Sequence, residues 1–197
     1  MAEENPPGSA HEPGAHEFST AASETLYVGK IFALRADEVR MPGGGTARRE
    51  VVEHFGAVAV LALDDDGSVV LIHQYRHPFG RRLWELPAGL LDFSGEPPHQ
   101  TAARELAEEV GLAAERWHTL VDLDSAPGFC DESVRVFLAT GLSEVDRPQA
   151  HDEEADLVVC RFPLSEAVDR VFSGEIVNAI SVAGILAAQV MPDVTSL

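Results

Sequence analysis

The chain contains few cysteines and few basic residues, and each shortage argues against certain classes of protein. Only two cysteines occur among 197 residues, Cys130 and Cys160, and they form no CxxC pair. This predicts no disulfide framework and favours a reducing, cytoplasmic location. Lysine and arginine number 14 against 33 aspartates and glutamates, a formal net charge of -19. Nucleic acid and anionic membranes are therefore unfavourable partners, because phosphate-rich surfaces attract basic patches.

Long apolar runs are also missing. The most apolar late segment, residues 179–190, is too short to span a bilayer. Residues 1–22 lack the apolar stretch of a signal peptide and predict a disordered tail. The length and an apolar content of 45% predict one packed domain. We expect an N-terminal strand region at 23–54, the main domain at 55–191 and a short C-terminal tail at 192–197.

Alternating apolar and polar residues predict strands before and after one central helix. The strand segments are 25–40 (one or two strands), 49–54, 56–63, 68–76, 117–123, 133–140 and 155–162, and later helices are expected at 165–172 and 178–190. Asp64 to Gly67 predict a hairpin turn rather than a calcium loop, because the later ligands of such a loop are missing. Strands wrapped around an inserted helix favour an α/β sandwich.

The central helix is predicted from its ends and its apolar pair. Pro97 and Pro98 suit a first turn, where a missing N–H costs nothing. Leu106 and Val110 lie four residues apart, so they share a face directed at the core. Gly111 marks the C-terminal end.

Three carboxylates crowd onto this helix. Glu105 and Glu109 share a face, and Glu108 lies beside them. Like charges at this spacing repel by about a few tenths of a kcal/mol per pair, a conflict that a hard divalent cation would remove. A solvated acidic face is the alternative interpretation.

The spacing around these residues resembles the signature of the Nudix hydrolase family. That signature is a Gly, five residues, a Glu, seven residues, then Arg-Glu-aliphatic-any-Glu-Glu-any-Gly-aliphatic. The matching residues are Glu96, Arg104, Glu105, Leu106, Glu108, Glu109, Gly111 and Leu112. One departure is that six residues, not five, separate Gly89 from Glu96. The extra residue leaves the helical carboxylates intact and bears on the loop and on the orientation of Glu96.

Two further segments resemble the ADP-ribose pyrophosphatase branch: residues 74–89, which read QYRHPFGRRLWELPAG, and Pro127, fifteen residues after Leu112. Residues 48–56, which read RREVVEHFG, resemble the actinobacterial members of that branch. The resemblance implies an α/β/α sandwich with a mixed sheet and an N-terminal antiparallel strand extension. It also implies metal-dependent hydrolysis of ADP-ribose to AMP and ribose 5-phosphate, with Mg²⁺ or alternatively Mn²⁺. Branch members are homodimers that exchange N-terminal strands, and residues 25–40 are compatible with this.

The resemblance also assigns metal and catalytic roles. Glu105 and Glu109 are the expected metal ligands, together with the backbone carbonyl of Ala88, and Glu108 completes the set. Arg104 is expected to hold Glu96 or a ligand carboxylate by a bidentate contact. The base is expected in the acidic loop 151–156, with Glu154 as base or as a further metal ligand and Glu153 as the second choice.

Substrate contacts are expected from other segments. Arg49 and Glu50 resemble an adenine-contacting pair, and Arg76 resembles a diphosphate contact. Asp131, Glu132 and Ser133 are candidates for the terminal ribose. Trp84 lies between leucines and is interpreted as a core residue.

Other functions stay open at this point. The substrate of the same chemistry could be another nucleoside diphosphate derivative: a nucleotide sugar, a flavin or a dinucleotide. A non-catalytic ADP-ribose sensor and a structural metal-binding protein are rivals from other classes. The complete set of signature carboxylates favours the enzyme.

Overall fold

A computed structural model describes residues 17–93, 95–147 and 156–191. The strands in these residues are β1 (Ser19–Val28), β2 (Phe32–Arg40), β3 (Thr46–His54), β4 (Ala57–Ala62), β5 (Ser68–Arg76), β6 (Arg81–Glu85), β7 (Ala88–Leu90), β8 (Leu112–Asp124), β9 (Ser133–Glu144) and β10 (Val158–Pro163). The α-helices are α1 (Pro98–Val110), α2 (Leu164–Phe172) and α3 (Ala179–Val190), and one 3-10 turn covers His77–Phe79. Within these residues, no helix is both long and apolar enough to cross a bilayer.

The chain divides into two compact units. One contains the described residues up to Gly56 together with Asp124–Ser133, and the other contains Ala57–Leu123 and the described residues from Val134 onward. The first unit holds the antiparallel sheet β1-β2-β3. In the same unit, Val52 forms a parallel bridge with Cys130. This pairing attaches the segment after β8 to the N-terminal sheet.

Strand β1 corrects the predicted tail. The tail was expected to reach residue 22, but the strand begins at Ser19, which lies opposite Arg40 of β2. The hydroxyl of Ser23 also donates to the Asp37 carboxylate at 2.6 Å. Backbone pairing satisfies polar groups whatever the side chains are, so a polar composition did not prevent a strand here.

The second unit is a sandwich around a mixed sheet of order β7-β4-β9-β8, in which β4 runs parallel to β9 and antiparallel to β7. Strand β4 is completely buried, and its side chains alternate between two apolar layers. Val58 and Val60 pack in the layer that includes Leu106 of α1. Leu61 packs in the other layer, which includes Ile185 of α3. The predicted α/β/α sandwich with a mixed sheet is confirmed.

A second sheet, of order β10-β5-β6, is antiparallel. Strand β5 matches its predicted bounds, and the turn before it is the predicted hairpin, with Gly67 at φ 82°. Trp84 of β6 packs against the core and stacks on His73 at 4.4 Å, as its interpretation as a core residue requires. Strands β6 and β7 were not predicted, because they are too short to show a period.

Candidate active site

Helix α1 presents the acidic residues of the site. Pro98 is its first residue, and Gly111 ends it in the left-handed conformation at φ 69°. The N–H of Gly111 donates to the carbonyl of Ala107 at 3.0 Å, which satisfies one of the last carbonyls of the helix. Ala102 and Leu106 are fully buried against the sheet. The helix is therefore fixed by its apolar face, while Glu105 and Glu108 stay partly exposed.

Arg104 binds three carboxylates at once. Its Nη1 donates to Glu105 at 2.6 Å and to Glu108 at 3.0 Å. Its Nη2 donates to Glu96 at 3.2 Å. Burial works to lower the pKa of Arg104, but the hydrogen bond to Glu96 and the charge of Glu105 outweigh it and raise that pKa. One guanidinium thus neutralises part of the repulsion that the sequence placed on this helix.

Glu96 is oriented despite the extra residue in the preceding loop. The loop turns through Gly95, at φ 86°, and the N–H of Glu96 donates to the carbonyl of Phe93 at 3.1 Å. The Glu96 carboxylate accepts from Arg104 and from the Thr101 hydroxyl, the latter at 2.8 Å. These hydrogen bonds hold the pKa of Glu96 below its ordinary value. Glu96 therefore reaches the arginine although six residues separate it from Gly89.

Glu109 is the buried member of the acidic group, only 6% exposed. Its Oε2 accepts the backbone N–H of Ala88 in β7 at 2.9 Å. This hydrogen bond places the carboxylate beside the residue whose carbonyl was expected to join it as a ligand. It also connects the helix to the sheet at the centre of the site.

The side chain of Glu105 packs directly against the backbone of Gly89. A Cβ added at Gly89 would lie 2.1 Å from Cδ and 2.2 Å from Oε1 of Glu105. Such distances are far inside van der Waals contact, so only glycine leaves room for the carboxylate here. Glycine is required at this position because a larger residue would collide with Glu105. A left-handed backbone is not the reason, since the φ of Gly89 lies outside the positive range.

The donor set suits a hard divalent cation. It consists of carboxylate oxygens, and the glycine cradle keeps one of them against the sheet. Among the described residues, however, no group of three or more His, Cys, Asp or Glu side chains is arranged to hold a metal ion. In this arrangement Arg104 donates to Glu105 and Glu108, and the Ala88 N–H donates to Glu109. The residues nevertheless fit a metal chemically, because a carboxylate that accepts one hydrogen bond keeps lone pairs that can bind a cation.

Arg76 lies in the second unit, as the acidic residues of α1 do. Its guanidinium binds the carboxylate of Glu85 in β6, with Nε at 3.0 Å and Nη2 at 2.6 Å. Sequence reasoning noticed neither this partner nor Thr101. An acidic residue in the run ELPAG just before the signature was the available signal for Glu85.

The remaining expected substrate residues lie in the first unit or at its boundary. Arg49 and Glu50 are exposed on β3, where they lie opposite Asp37 and Ala36. Glu132 contacts the Ser125 hydroxyl and lies 3.4 Å from Nδ1 of His54.

Two neighbours of Glu132 are held in a similar way. Ser133 donates to Asp124 at 2.8 Å, and Asp131 accepts the His54 N–H. The expected bases Glu153 and Glu154 lie outside the described residues.

Comparisons with known proteins match the chain in two blocks. The NUDIX domain family model matches residues 53–179, and the model of the nucleoside diphosphate sugar hydrolase N-terminal domain matches residues 19–52. The chain is 67% identical over 172 residues to an ADP-ribose pyrophosphatase of Mycobacterium tuberculosis, covering 87% of this chain and 83% of that one. It is 40% identical over 163 residues to an ADP-ribose pyrophosphatase of Bacillus subtilis, covering 83% and 88%. A solved structure described as an ADP compounds hydrolase shares the fold, with a TM-score of 0.75, 22% identity and coverage of 87% and 92%.

Proposed function

Because this chain belongs to the Nudix hydrolase family, we propose that it hydrolyses the diphosphate bond of ADP-ribose to AMP and ribose 5-phosphate. The observation that carries the proposal is the high identity with the mycobacterial ADP-ribose pyrophosphatase over most of both chains. The carboxylates gathered around Arg104 support it, because they could hold the divalent cation that neutralises the charge of a diphosphate before water attacks.

Nudix hydrolases need divalent metal ions, and we propose Mg²⁺ as the ion here, with Mn²⁺ as the alternative. Glu105, Glu109 and the carbonyl of Ala88 would hold it, and Glu108 would complete the set; Glu154 would join them only in the alternative to its role as base. A bound ion supplies Lewis acidity and lowers the pKa of water.

The side chains of the protein bind the substrate, hold the metal-binding carboxylates in place and accept the proton. Arg76 binds the diphosphate oxygens, and Arg104 holds the carboxylates of α1 in place. Glu154, or alternatively Glu153, accepts a proton from the attacking water. The water oxygen forms a bond to phosphorus as the bridging P–O bond breaks, and the proton later returns to solvent.

We further propose that Arg49 and Glu50 contact the adenine, and that Asp131, Glu132 and Ser133 contact the terminal ribose. Arg49 and Glu50 are exposed, so both can reach a ligand. Their position on β3, ahead of the NUDIX match, makes them candidates for selecting the nucleoside rather than for the chemistry.

The test of the function is cleavage of a small panel with Mg²⁺ and with EDTA. We expect metal-dependent AMP formation from ADP-ribose, well ahead of a nucleotide sugar, NADH and a diadenosine polyphosphate. Faster cleavage of another member would move the assignment to that substrate. Binding of ADP-ribose without any cleavage would instead make the protein a sensor.

We also propose that the protein is a homodimer built on the sheet of its first unit. Every residue of β1 is exposed, including Tyr27 and Val28, and Val28 is 73% exposed. Exposed large apolar side chains, here Leu26, Tyr27 and Val28 at the end of the strand, are typical of an interaction surface.

Light scattering of the purified protein tests this proposal. We expect twice the chain mass for the wild type, and the monomer mass for Val28→Lys, because a charge would be buried in the interface. Thr119→Lys, at an exposed position of β8 in the second unit, is the comparison for added charge alone. A monomeric wild type at micromolar concentration would contradict the proposal.

A further inference from the structure

One buried carboxylate outside the signature is tied to a residue of the proposed substrate site. Glu85 ends β6, and its side chain is only 3% exposed. It accepts from Nε and Nη2 of Arg76 and from the amide of Gln74 at 3.2 Å. Arg76 keeps 42% of its side chain exposed. The contact therefore joins a buried anion to a cation that still reaches the surface.

The register of β5 and β6 shows that Arg76 and Glu85 are not directly opposite each other. Strand β5 runs antiparallel to β6, with Ile72 opposite Glu85 and Arg76 opposite Arg81. To reach Glu85, the arginine side chain folds back along the strand past Gln74. Arg76 is the last residue of β5, and its side chain is held over the sheet in one orientation instead of extending past the end of the strand. The two-nitrogen contact fixes the plane of the guanidinium as well as its position.

The segment after Glu85 is fixed just as firmly. The N–H of Leu86 donates to Ser181 of α3 at 2.9 Å, and the carbonyl of Pro87 accepts from Val60 at 2.8 Å. The N–H of Ala88 donates to Glu109 at 2.9 Å. Leu86, Pro87 and Ala88 thus each make a backbone hydrogen bond to a neighbouring element, and the last of these bonds reaches the buried carboxylate of α1. Glu85 directly precedes this fixed segment.

We propose that Glu85 is a positioning residue, which fixes the Arg76 guanidinium so that it meets the diphosphate of the substrate. This rests on the proposed function, in which Arg76 binds the diphosphate. A purely structural ion pair would gain little from leaving its arginine nearly half exposed.

Glu85→Gln is the first test, because glutamine keeps the size and removes the charge. We expect the KM for ADP-ribose to rise roughly tenfold or more, the usual scale for losing a group that orients a binding residue, with a smaller change in kcat. Calorimetry in EDTA should show weaker binding of ADP and unchanged binding of adenosine, which has no phosphate. Glu166→Gln breaks the contact with Arg170 within α2 and should leave KM, kcat and the binding of ADP and adenosine unchanged.

A second variant covers the case in which Glu85→Gln does not fold. Arg76→Lys keeps a positive charge against Glu85 but loses the two-nitrogen contact. It should weaken ADP binding to a similar degree while keeping the melting temperature near that of the wild type. In the double variant Arg76→Lys/Glu85→Gln, the effects on ADP binding should not add, because both changes remove the same contact.

The outcomes separate this proposal from the proposed function. A lower melting temperature with unchanged ADP binding in Glu85→Gln would overturn the positioning role and leave a structural pair. Wild-type ADP binding in Arg76→Lys would overturn it as well. If the wild type does not cleave ADP-ribose, the function fails, and the comparison of ADP with adenosine still decides the role of Glu85.

Discussion

Replacing Glu109 with glutamine should reduce the turnover of ADP-ribose by roughly 10³-fold or more, with the fold retained. Glutamine fills the same buried space, and its carbonyl oxygen can still accept the Ala88 N–H. What it lacks is the negative charge that a divalent cation requires. Metal-derived charge stabilisation is worth several kcal/mol, and each 1.36 kcal/mol is about tenfold in rate. Steady-state kinetics and a metal titration of the folded variant measure both losses.

Two comparison variants make the result for Glu109 specific. Glu115→Gln on β8 changes an exposed carboxylate and should leave both turnover and metal affinity unchanged. Glu154→Gln should lower kcat by about 10²-fold or more while metal affinity is largely kept, since it removes a base. Wild-type turnover in Glu109→Gln would remove this residue from the proposed ligand set. Unchanged kcat in Glu154→Gln would refute the assignment of the base.

Gly89→Ala should reduce turnover by about 10²-fold, although only one methyl group is added. The new Cβ would lie 2.1 Å from Cδ of Glu105, so the carboxylate must leave its place or β7 must shift. Either movement disturbs the 2.6 Å contact between Glu105 and Arg104. A displacement of about 1 Å in a catalytic group can cost 10²-fold in rate. Kinetics together with a thermal melt distinguish this loss from unfolding.

Gly43→Ala is the matched control, because its Cβ would meet nothing within 4 Å. Its activity and melting temperature should equal those of the wild type. Full activity in Gly89→Ala would show that Glu105 tolerates displacement. It would then have no essential place in the site.

Local features of the chain were readable from sequence because their causes are local. The bounds of α1 follow from Pro98 and Gly111, and its acidic face follows from the helical period. The turn at Gly67 follows from a run of turn residues before a positive φ. The sandwich followed from the order of the strand and helix patterns and from the family resemblance. In each case the determining residues lie within a few positions of one another.

Contacts between residues far apart in the sequence could not be predicted from the sequence. Nothing in the sequence near Glu109 shows that its partner is the Ala88 N–H, twenty-one residues earlier. The fold of Arg76 back onto Glu85 depends on the register of β5 and β6, which alternation alone does not determine. For the same reason β1 was predicted to begin too late, because its partner strand rather than its composition sets its start.

The hydrogen bond from Ala88 to Glu109 gives the site its own spectroscopic probe. The donor is a backbone amide in a rigid strand, so its proton gives a single resonance that can be followed by NMR. A cation that draws electron density from the Glu109 carboxylate makes it a weaker acceptor, and the amide proton then shifts upfield. Occupancy of the acidic site is thereby reported by one backbone signal, without substrate or turnover.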